Sequence, residues 1–384
     1  MRLLHTADWH LGRIFHGVHL TQDQAHLLDQ VVDLAREARV DVVLVCGDIY
    51  DRAIPPPDAV ALLDDVLSRL VLDLRLPVIL IGGNHDSPQR IGFASRLLRR
   101  QGLHAAGLAA REPGPITLND RHGSVVFHPL PYAEPAAVRE LLGREEATLS
   151  DHDSAMEARL QLLRTGTGSR TVLLAHGVVL GGEASESERP LATGDAGNID
   201  PARFEGFDYV ALGHLHRPQT VVPGRIDYAG SLYKYSFAEA NQVKSVNLVE
   251  MDGRGRCRVE RVPLTPRLDV RRIEGTLDQL LRAPVDGPNR HDYLMAALLD
   301  REPVLDAMGR LHAVYPNMLH IERPRMLPVE DLRPGAPDAR RLSEIDLFAA
   351  FYAQVTGEQL GQSESSAFAR VVDSLRRRER EAKA

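Results

Sequence analysis

The chain has 384 residues, 43% of them hydrophobic and 26% charged, which is typical of a globular protein with room for two domains and a tail. No stretch reaches the roughly 20 apolar residues that cross a bilayer, and two cysteines are too few for a disulfide framework, so we expect a cytoplasmic protein without a membrane segment. The net charge of −7 argues against coating nucleic acid by bulk attraction, but not against an enzyme that grips phosphates locally.

The chain up to residue 263 alternates short apolar runs with amphipathic segments. The apolar runs predict buried strands at residues 3–4, 42–46, 78–81, 172–175 and 209–212. Amphipathic spacing predicts helices at 22–38 and 58–70. A hairpin is predicted from strands 243–251 and 257–262, joined by a glycine-rich turn. Strands that alternate with helices indicate a layered α/β domain over residues 1–263.

Residues 264–330 follow a separate pattern. In chain order it predicts strand 268–273, helix 276–281, strand 293–299, helix 303–314 and strand 318–322. Such a module of about 60 residues is near the lower size limit for independent folding. We therefore expect a small α+β capping domain that docks on the first domain.

The last segment, 331–384, starts with a linker rich in proline and glycine and continues with two amphipathic helices. The first is expected to begin after Ser343 and end at Gly357, with an apolar stripe of Leu347, Phe348, Phe351, Tyr352 and Val355. The second carries Phe368, Val371, Val372 and Leu375 at helical spacing. The apolar faces need to be covered, either by the parent domain or by a partner protein.

Each of the five predicted strands ends in polar groups that bind metals. In chain order these are Asp8-Trp9-His10, Gly47-Asp48-Ile49-Tyr50-Asp51-Arg52, Gly83-Asn84-His85-Asp86, Ala175-His176-Gly177 and Gly213-His214-Leu215-His216. Ligands of an open α/β sheet bind beyond the carboxyl ends of the strands, so the fold is expected to bring these groups together. On an extended segment Asp8 and His10 would point the same way, as would His214 and His216. Glycine before three of the motifs permits close approach of the backbone.

The mixture of donors predicts the kind of metal. The Asp48 carboxylate has two oxygens and can serve two cations at once. Histidine suits Mn, Fe or Zn, whereas aspartate and the Asn84 amide suit Mn or Mg, so Mn²⁺ is the first expectation, with Mg²⁺ or another divalent ion as the alternative. A single buried histidine is more often structural than a ligand. Five motifs in order favour a site with two ions.

This ordered set resembles the calcineurin-like metallophosphoesterase superfamily. A closer likeness is to nuclease subunits of the SbcD family, bacterial relatives of the Mre/Rad break-repair nucleases. It rests on the stretches Leu4-His-Thr-Ala-Asp-Trp-His-Leu-Gly, Gly83-Asn-His-Asp-Ser, Ala211-Leu-Gly-His-Leu-His-Arg-Pro-Gln, Tyr228-Ala-Gly-Ser-Leu and Ser236-Phe-Ala-Glu. The likeness of motifs covers residues 1–251, and beyond residue 264 only the architecture is similar.

The resemblance implies a layered sandwich fold and a set of roles. The first metal would be bound by Asp8, His10, Asp48 and His216, and the second by Asp48, Asn84, His176 and His214. His85 would be catalytic without binding either ion. The resemblance also implies Mn²⁺-dependent exonuclease action on double-stranded DNA and endonuclease action on single strands and hairpins, in repair and recombination, with water activated by the metal pair. An SMC-like ATPase of the SbcC type, bound through the C-terminal helices, and a homodimer are implied as well.

Two other functions stay open at this point. The same metal pair would serve a phosphomonoesterase or a cyclic-nucleotide phosphodiesterase, and the ligands alone do not separate these from a nuclease. A scaffold that binds DNA ends and an ATPase without cutting is the other alternative. The capping module and the two C-terminal helices favour the nuclease over a compact phosphatase, and the complete ligand set argues against a pure scaffold.

Overall fold

The structure of the chain is a computed structural model that describes residues 1–110, 114–143, 149–163, 170–192, 194–282, 287–300, 302, 304–324, 344–356 and 359–381. It divides the chain into two compact units, Met1–Arg271 and Arg272–Ala384. The three segments expected from the sequence, with limits at 263 and 330, stay a prediction. Among the described residues, no helix combines the length and the apolar content needed to cross a membrane.

The first unit contains sixteen strands and six α-helices among its described residues. The strands are β1 (Arg2–Thr6), β2 (Ile14–Phe15), β3 (Val18–His19), β4 (Val42–Cys46), β5 (Val78–Ile81), β6 (Leu103–Ala106), β7 (Ile116–Asp120), β8 (Gly123–Leu130), β9 (Arg170–His176), β10 (Val178–Val179), β11 (Asn198–Ile199), β12 (Tyr209–Gly213), β13 (Gln219–Val222), β14 (Ile226–Tyr228), β15 (Ser245–Met251) and β16 (Cys257–Pro263). The helices are α1 (Thr21–Glu37), α2 (Pro57–Ser68), α3 (Pro88–Ile91), α4 (Ser95–Leu98), α5 (Pro135–Leu142) and α6 (His152–Leu160). All five predicted buried strands and both predicted helices are confirmed.

Two six-stranded sheets form the frame of this unit, in the orders β16-β15-β1-β4-β5-β6 and β13-β14-β12-β9-β8-β7. Strands β1, β4, β5 and β6 run parallel, and so do β8, β9, β12 and β14. The predicted hairpin is confirmed as β15 and β16, and it adds two antiparallel strands at one edge through pairing of β15 with β1. The predicted α/β layered fold is therefore confirmed.

The core of the unit lies between the two sheets. Leu44 and Ile79 of the first sheet share one buried cluster with Phe127, Val172 and Tyr209 of the second. Every residue of β4 is buried, which explains why its sequence is a continuous apolar run rather than an alternating one. Because parallel strands of each sheet end at the same edge, the residues that follow β1, β4, β5, β9 and β12 are placed near one another.

The second unit, with the strand that leads into it, has a three-stranded sheet in the order β17 (Val270–Gly275), β18 (Tyr293–Leu298) and β19 (Met318–Glu322). Helices α7 (Leu277–Arg282) and α8 (Ala307–His312) alternate with these strands, so the predicted βαβαβ order is confirmed. Leu294, Leu311 and Tyr315 are fully buried in its core. The Tyr315 hydroxyl donates a hydrogen bond to the carbonyl of Leu280 at 3.0 Å, which joins the turn after α8 to α7.

The two predicted C-terminal helices are present as α9 (Glu344–Thr356) and α10 (Gln362–Glu381). The Phe348 and Phe368 rings stack with centroids 4.0 Å apart, so each helix covers part of the other. Phe351 and Val371 remain exposed. The predicted linker at 332–338, the cap Ser343 and the helix end at Gly357 lie outside the described residues.

Candidate metal centre

The strand ends of the first unit bring the predicted ligands to one place. Asp8 and Asp48 follow β1 and β4 by two residues, and Asn84 follows β5 by three. His176 is the last residue of β9, and His214 comes directly after β12. Three of these residues come from parallel strands of one sheet and two from the other. Because the strands end at the same edge, the five side chains lie at that shared edge.

The backbone around the ligands is not extended, and here the expectation from the sequence is wrong. Asp8, His10, Asp48 and His214 have φ values of 51°, 46°, 48° and 101°, in the left-handed region that non-glycine residues rarely adopt. Hydrogen bonds hold this conformation, from the Asp8 amide to the Gly47 carbonyl at 3.0 Å and from the His10 amide to the Asp48 carbonyl at 2.9 Å. Such strain costs on the order of 1–3 kcal/mol per residue and is concentrated at functional sites.

The three glycines that precede the motifs are needed for close approach, as expected. A Cβ on Gly47 would lie 2.2 Å from His176 Nδ1, and one on Gly83 would lie 2.2 Å from the Asp48 amide nitrogen. A Cβ on Gly213 would lie 1.8 Å from the carbonyl oxygen of Cys46. Any side chain at these positions would push the strand ends and their ligands apart.

One group of possible metal ligands consists of Asp8, His10 and His216, whose donor atoms all lie within 4.8 Å of one another. The Nε2 atoms of His10 and His216 are 3.0 Å apart. The Nδ1 atom of His10 is buried without a hydrogen-bond partner among the described residues. All three side chains are buried.

A second group consists of Asp48, His176 and His214, whose donor atoms also lie within 4.8 Å of one another. The Asn84 Oδ1 atom lies 2.9 Å from His176 Nε2 and 3.0 Å from His214 Nδ1. The other ring nitrogen of His176 bonds to the Cys46 carbonyl at 2.9 Å, which leaves Nε2 as the nitrogen that faces the group.

Asp48 lies between the two groups. Its Oδ1 atom is 3.5 Å from His176 Nε2, and its Oδ2 atom is 3.6 Å from His10 Nε2. The two oxygens of one carboxylate thus face one group each, which is the geometry that a shared ligand requires.

The electrostatics of the cluster fit divalent cations. Burial and the neighbouring Asp48 charge raise the pKa of Asp8 well above its ordinary value. Burial, reinforced by adjacent imidazoles, lowers the pKa of His10 and His214 well below 6.5. The neutral imidazoles are in the protonation state that metal binding needs, and a cation would favour ionised Asp8 because it relieves the repulsion between the two carboxylates.

His85 lies beside both groups in a half-buried position. Its Nδ1 atom is 2.8 Å from the Asp51 carbonyl, and its amide donates to Asp48 Oδ1 at 2.9 Å. Since a carbonyl only accepts hydrogen bonds, Nδ1 carries the proton, and Nε2 is the nitrogen open to a ligand. His10, Asp51 and His85 also form a third group of donor atoms within 4.8 Å, which the sequence did not lead us to expect.

Several residues that hold the site in place were missed or given no role. Asp86, which is part of the predicted Gly-Asn-His-Asp motif, accepts backbone hydrogen bonds from Ile49, Tyr50 and Gly83 and so ties two of the ligand-bearing turns together. Ser187 and Glu188, in the loop between β10 and β11, bond to His216. Glu239 belongs to the stretch Ser236-Phe-Ala-Glu, whose family resemblance was the one indication of it in the sequence. No feature of the sequence indicated Lys244.

A two-sheet α/β sandwich with two donor groups at one edge defines a class, the metal-dependent phosphoester hydrolases. The family model for calcineurin-like phosphoesterases matches residues 1–218. A second family model, described as the C-terminal domain of a type 5 capsule protein repressor, matches residues 266–356.

The SbcD component of the SbcCD nuclease of Staphylococcus saprophyticus is 30% identical over 377 residues, which cover 98% of each chain. The chain therefore belongs to the SbcD family of calcineurin-like phosphoesterases. Two solved structures are more distant. A dimetal phosphatase from Danio rerio is 16% identical over 69% of this chain and 98% of its own, with a TM-score of 0.40. The phosphoesterase YfkN from Bacillus subtilis is 12% identical over 69% and 90%, with a TM-score of 0.39.

Proposed function

We propose that the chain is the nuclease subunit of an SbcCD-type complex and hydrolyses phosphodiester bonds of DNA in repair and recombination. The observation that carries this proposal is the pair of donor groups with the two oxygens of Asp48 between them. It is supported by identity with a nuclease subunit along the whole chain rather than in the phosphoesterase region alone. The two free thiols, Cys46 and Cys257, are in keeping with a cytoplasmic location.

Each of the two ions is assigned the ligands of one donor group, with Asp48 common to both. Asp8, His10, Asp48 and His216 would bind the first ion, and Asp48, Asn84, His176 and His214 the second. When bound, such a pair of ions lowers the pKa of water and neutralises charge on the phosphate. Carboxylate, amide and imidazole donors without a thiolate favour Mn²⁺, with Mg²⁺ or another divalent ion as the alternative.

His85 is the proposed catalytic residue. The Asp51 carbonyl holds its Nδ1 proton, so the imidazole has a defined orientation and presents Nε2 to substrate. When the ring carries a second proton, on Nε2, that proton would stabilise negative charge on a phosphoryl oxygen or pass to the departing sugar oxygen. Its backbone amide also donates to Asp48, which holds the main chain that carries the ring next to the donor groups.

The substrate is tested by direct comparison of DNA with a small phosphodiester. With Mn²⁺ and the partner ATPase present, we expect the protein to degrade linear duplexes from their ends and to nick single strands and hairpins. The Asp48→Ala variant, purified in the same way, controls for contaminating nucleases. Cleavage of bis(p-nitrophenyl) phosphate without cleavage of any DNA would contradict the nuclease and favour a small-molecule phosphodiesterase. Absence of both activities would favour a scaffold.

The C-terminal helices are the proposed binding site for an SMC-like ATPase of the SbcC type. Their exposed apolar side chains, Phe351 of α9 and Val371 of α10, lie on helices that already pack against each other, so this surface remains to be covered. The Phe351→Glu and Val371→Glu variants are expected to lose co-purification with the ATPase while keeping metal binding. The Ser363→Glu variant, changed at an exposed polar position of α10, is the matched control.

A homodimer is proposed through the surface of α2 and the short helices after Asn84. Phe93 and Leu97 are 78% and 75% exposed, and Val60 lines one groove together with Phe93. Large apolar side chains this exposed are typical of interfaces. Glutamate at Phe93 or Leu97 is expected to convert a dimer to a monomer in light scattering. Leu305→Glu, at a leucine of the second unit that is even more exposed, should leave the dimer unchanged.

A further inference from the structure

A loop beyond β10 touches the metal centre at His216. The Ser187 hydroxyl lies 2.5 Å from His216 Nδ1 and donates a hydrogen bond to Glu239 Oε1. Glu239 is 0% exposed, although it belongs to a residue type that is almost never buried unless paired. Glu239 is not one of the proposed metal ligands, so the ligand set does not explain why its carboxylate is buried beside His216.

The donors and acceptors of this chain allow only one arrangement of protons. A carboxylate accepts hydrogen bonds, so the single proton of the Ser187 hydroxyl goes to Glu239. The hydroxyl oxygen must then accept from His216, which requires the proton of that imidazole to be on Nδ1. The lone pair is left on His216 Nε2, the atom that lies 3.0 Å from His10 Nε2 and faces the first donor group.

Lys244 keeps Glu239 in its charged, accepting form. Its Nζ atom is 2.6 Å from Glu239 Oε2, and it also donates to the His216 carbonyl at 2.8 Å. Both side chains are buried, and a buried charge is stable only with a close partner of opposite sign. On the main chain, the His216 amide donates to Glu188 Oε1 at 2.6 Å, so ring and backbone are held from the same loop.

We infer that Ser187, supported by Glu239 and Lys244, is a positioning residue that selects the Nδ1–H form of His216 and aims its Nε2 atom at the first metal ion. This inference rests on the proposed function, in which His216 binds that ion. Partners that bond to the outer nitrogen of a ligating histidine set its orientation and its basicity.

The first test measures Mn²⁺ binding to the full chain after removal of metal with a chelator. Ser187→Ala is expected to weaken one of two binding sites by roughly 10–100-fold and to leave the other unchanged. Ser185→Ala is the matched control, because the same substitution in the same loop removes only a hydrogen bond with Gln242. Ser187→Thr, which keeps the hydroxyl, is expected to restore much of the affinity.

The second test observes the tautomer directly and does not depend on metal. In the metal-free chain labelled with ¹⁵N-histidine, the nitrogen shifts assigned by comparison with His216→Gln should show a proton on Nδ1 of His216. Ser187→Ala is expected to give a mixture of tautomers, and Ser185→Ala the wild-type spectrum.

The possible results separate the inference from the proposed function. Unchanged affinity and an unchanged tautomer in Ser187→Ala would overturn the positioning role. An equal effect of Ser185→Ala would overturn it as well, because both serines would then only anchor the loop. A wild-type chain that binds fewer than two ions contradicts the proposed function instead, and the tautomer of His216 still decides the role of Ser187.

Discussion

His10 and His216 place their Nε2 atoms 3.0 Å apart although they are separated by 206 residues of chain. One follows β1 in the first sheet and the other follows β12 in the second, so the contact exists only because both strands end at the same edge of the sandwich. Two buried imidazoles that face each other beside Asp8 do not pack as an apolar core would, but together with Asp8 they supply three donor atoms for one metal ion. The predictions below follow from this convergence and from its neighbours.

Replacing Asp48 should empty at least one metal site. Each of its oxygens faces a different donor group, so Asp48→Ala removes a ligand from both. We expect metal analysis of the purified variant to find at most one tightly bound ion per chain and no cleavage of DNA. Asp33→Ala, at an exposed aspartate of α1, serves as the control. Two ions retained by Asp48→Ala would rule out a shared ligand.

Replacing His85 should separate chemistry from metal binding. Its ring is held by the Asp51 carbonyl rather than by either complete group of proposed ligands. We expect His85→Ala to lower turnover by roughly 100-fold or more and to keep both ions. His19→Ala, at an exposed histidine, controls for general effects of the substitution. Loss of an ion together with turnover would instead make His85 a ligand, a result that the third donor group would explain.

A methyl group at Gly213 should disrupt the site through the backbone. The added Cβ would lie 1.8 Å from the Cys46 carbonyl oxygen, which cannot move without shifting β4. We expect Gly213→Ala to lower the free energy of unfolding by about 3 kcal/mol and to weaken metal binding. Gly114→Ala is the matched control, since its Cβ would meet nothing within 4 Å. Urea unfolding measures the difference, and equal stability of the two variants would contradict the clash.

The protein should become less stable as the pH is lowered, because of His5. This buried histidine bonds to the Tyr209 hydroxyl and the Leu212 carbonyl, and burial lowers its pKa to about 4. The unfolded chain therefore binds a proton first, so the contribution of His5 is complete above pH 6.5 and is lost progressively toward pH 4. The shift corresponds to roughly 3 kcal/mol.

The comparison with His5→Phe isolates this contribution from that of the other histidines. Urea unfolding between pH 7 and pH 4.5 should show a steeper loss of stability in the wild type than in the variant, whose ring does not titrate. Parallel curves for the two proteins would mean that His5 does not titrate between these limits.

The strands, helices and glycines of this chain could be predicted because they leave local patterns. Apolar runs such as 42–46 reflect burial on both faces, and Gly47, Gly83 and Gly213 stand where a Cβ would strike a neighbour. The end of α2 was less predictable. The sequence favours a helix to residue 70, whereas the α-helix ends at Ser68 and continues as a π-helical turn, Arg69–Asp73. Apolar periodicity does not distinguish these two kinds of turn.

The sequence alone determined the order of the elements and the candidate ligands, since both depend on residue type and short spacing. Only the tertiary structure decided how the ligands are aimed. The left-handed turns at Asp8 and Asp48 depend on hydrogen bonds between different strand ends, and the contact of Ser187 with Glu239 joins residues 52 positions apart. A hydrogen bond across such a distance leaves no periodic trace in the chain, because it is formed by the packing of two sheets rather than by the propensity of any segment.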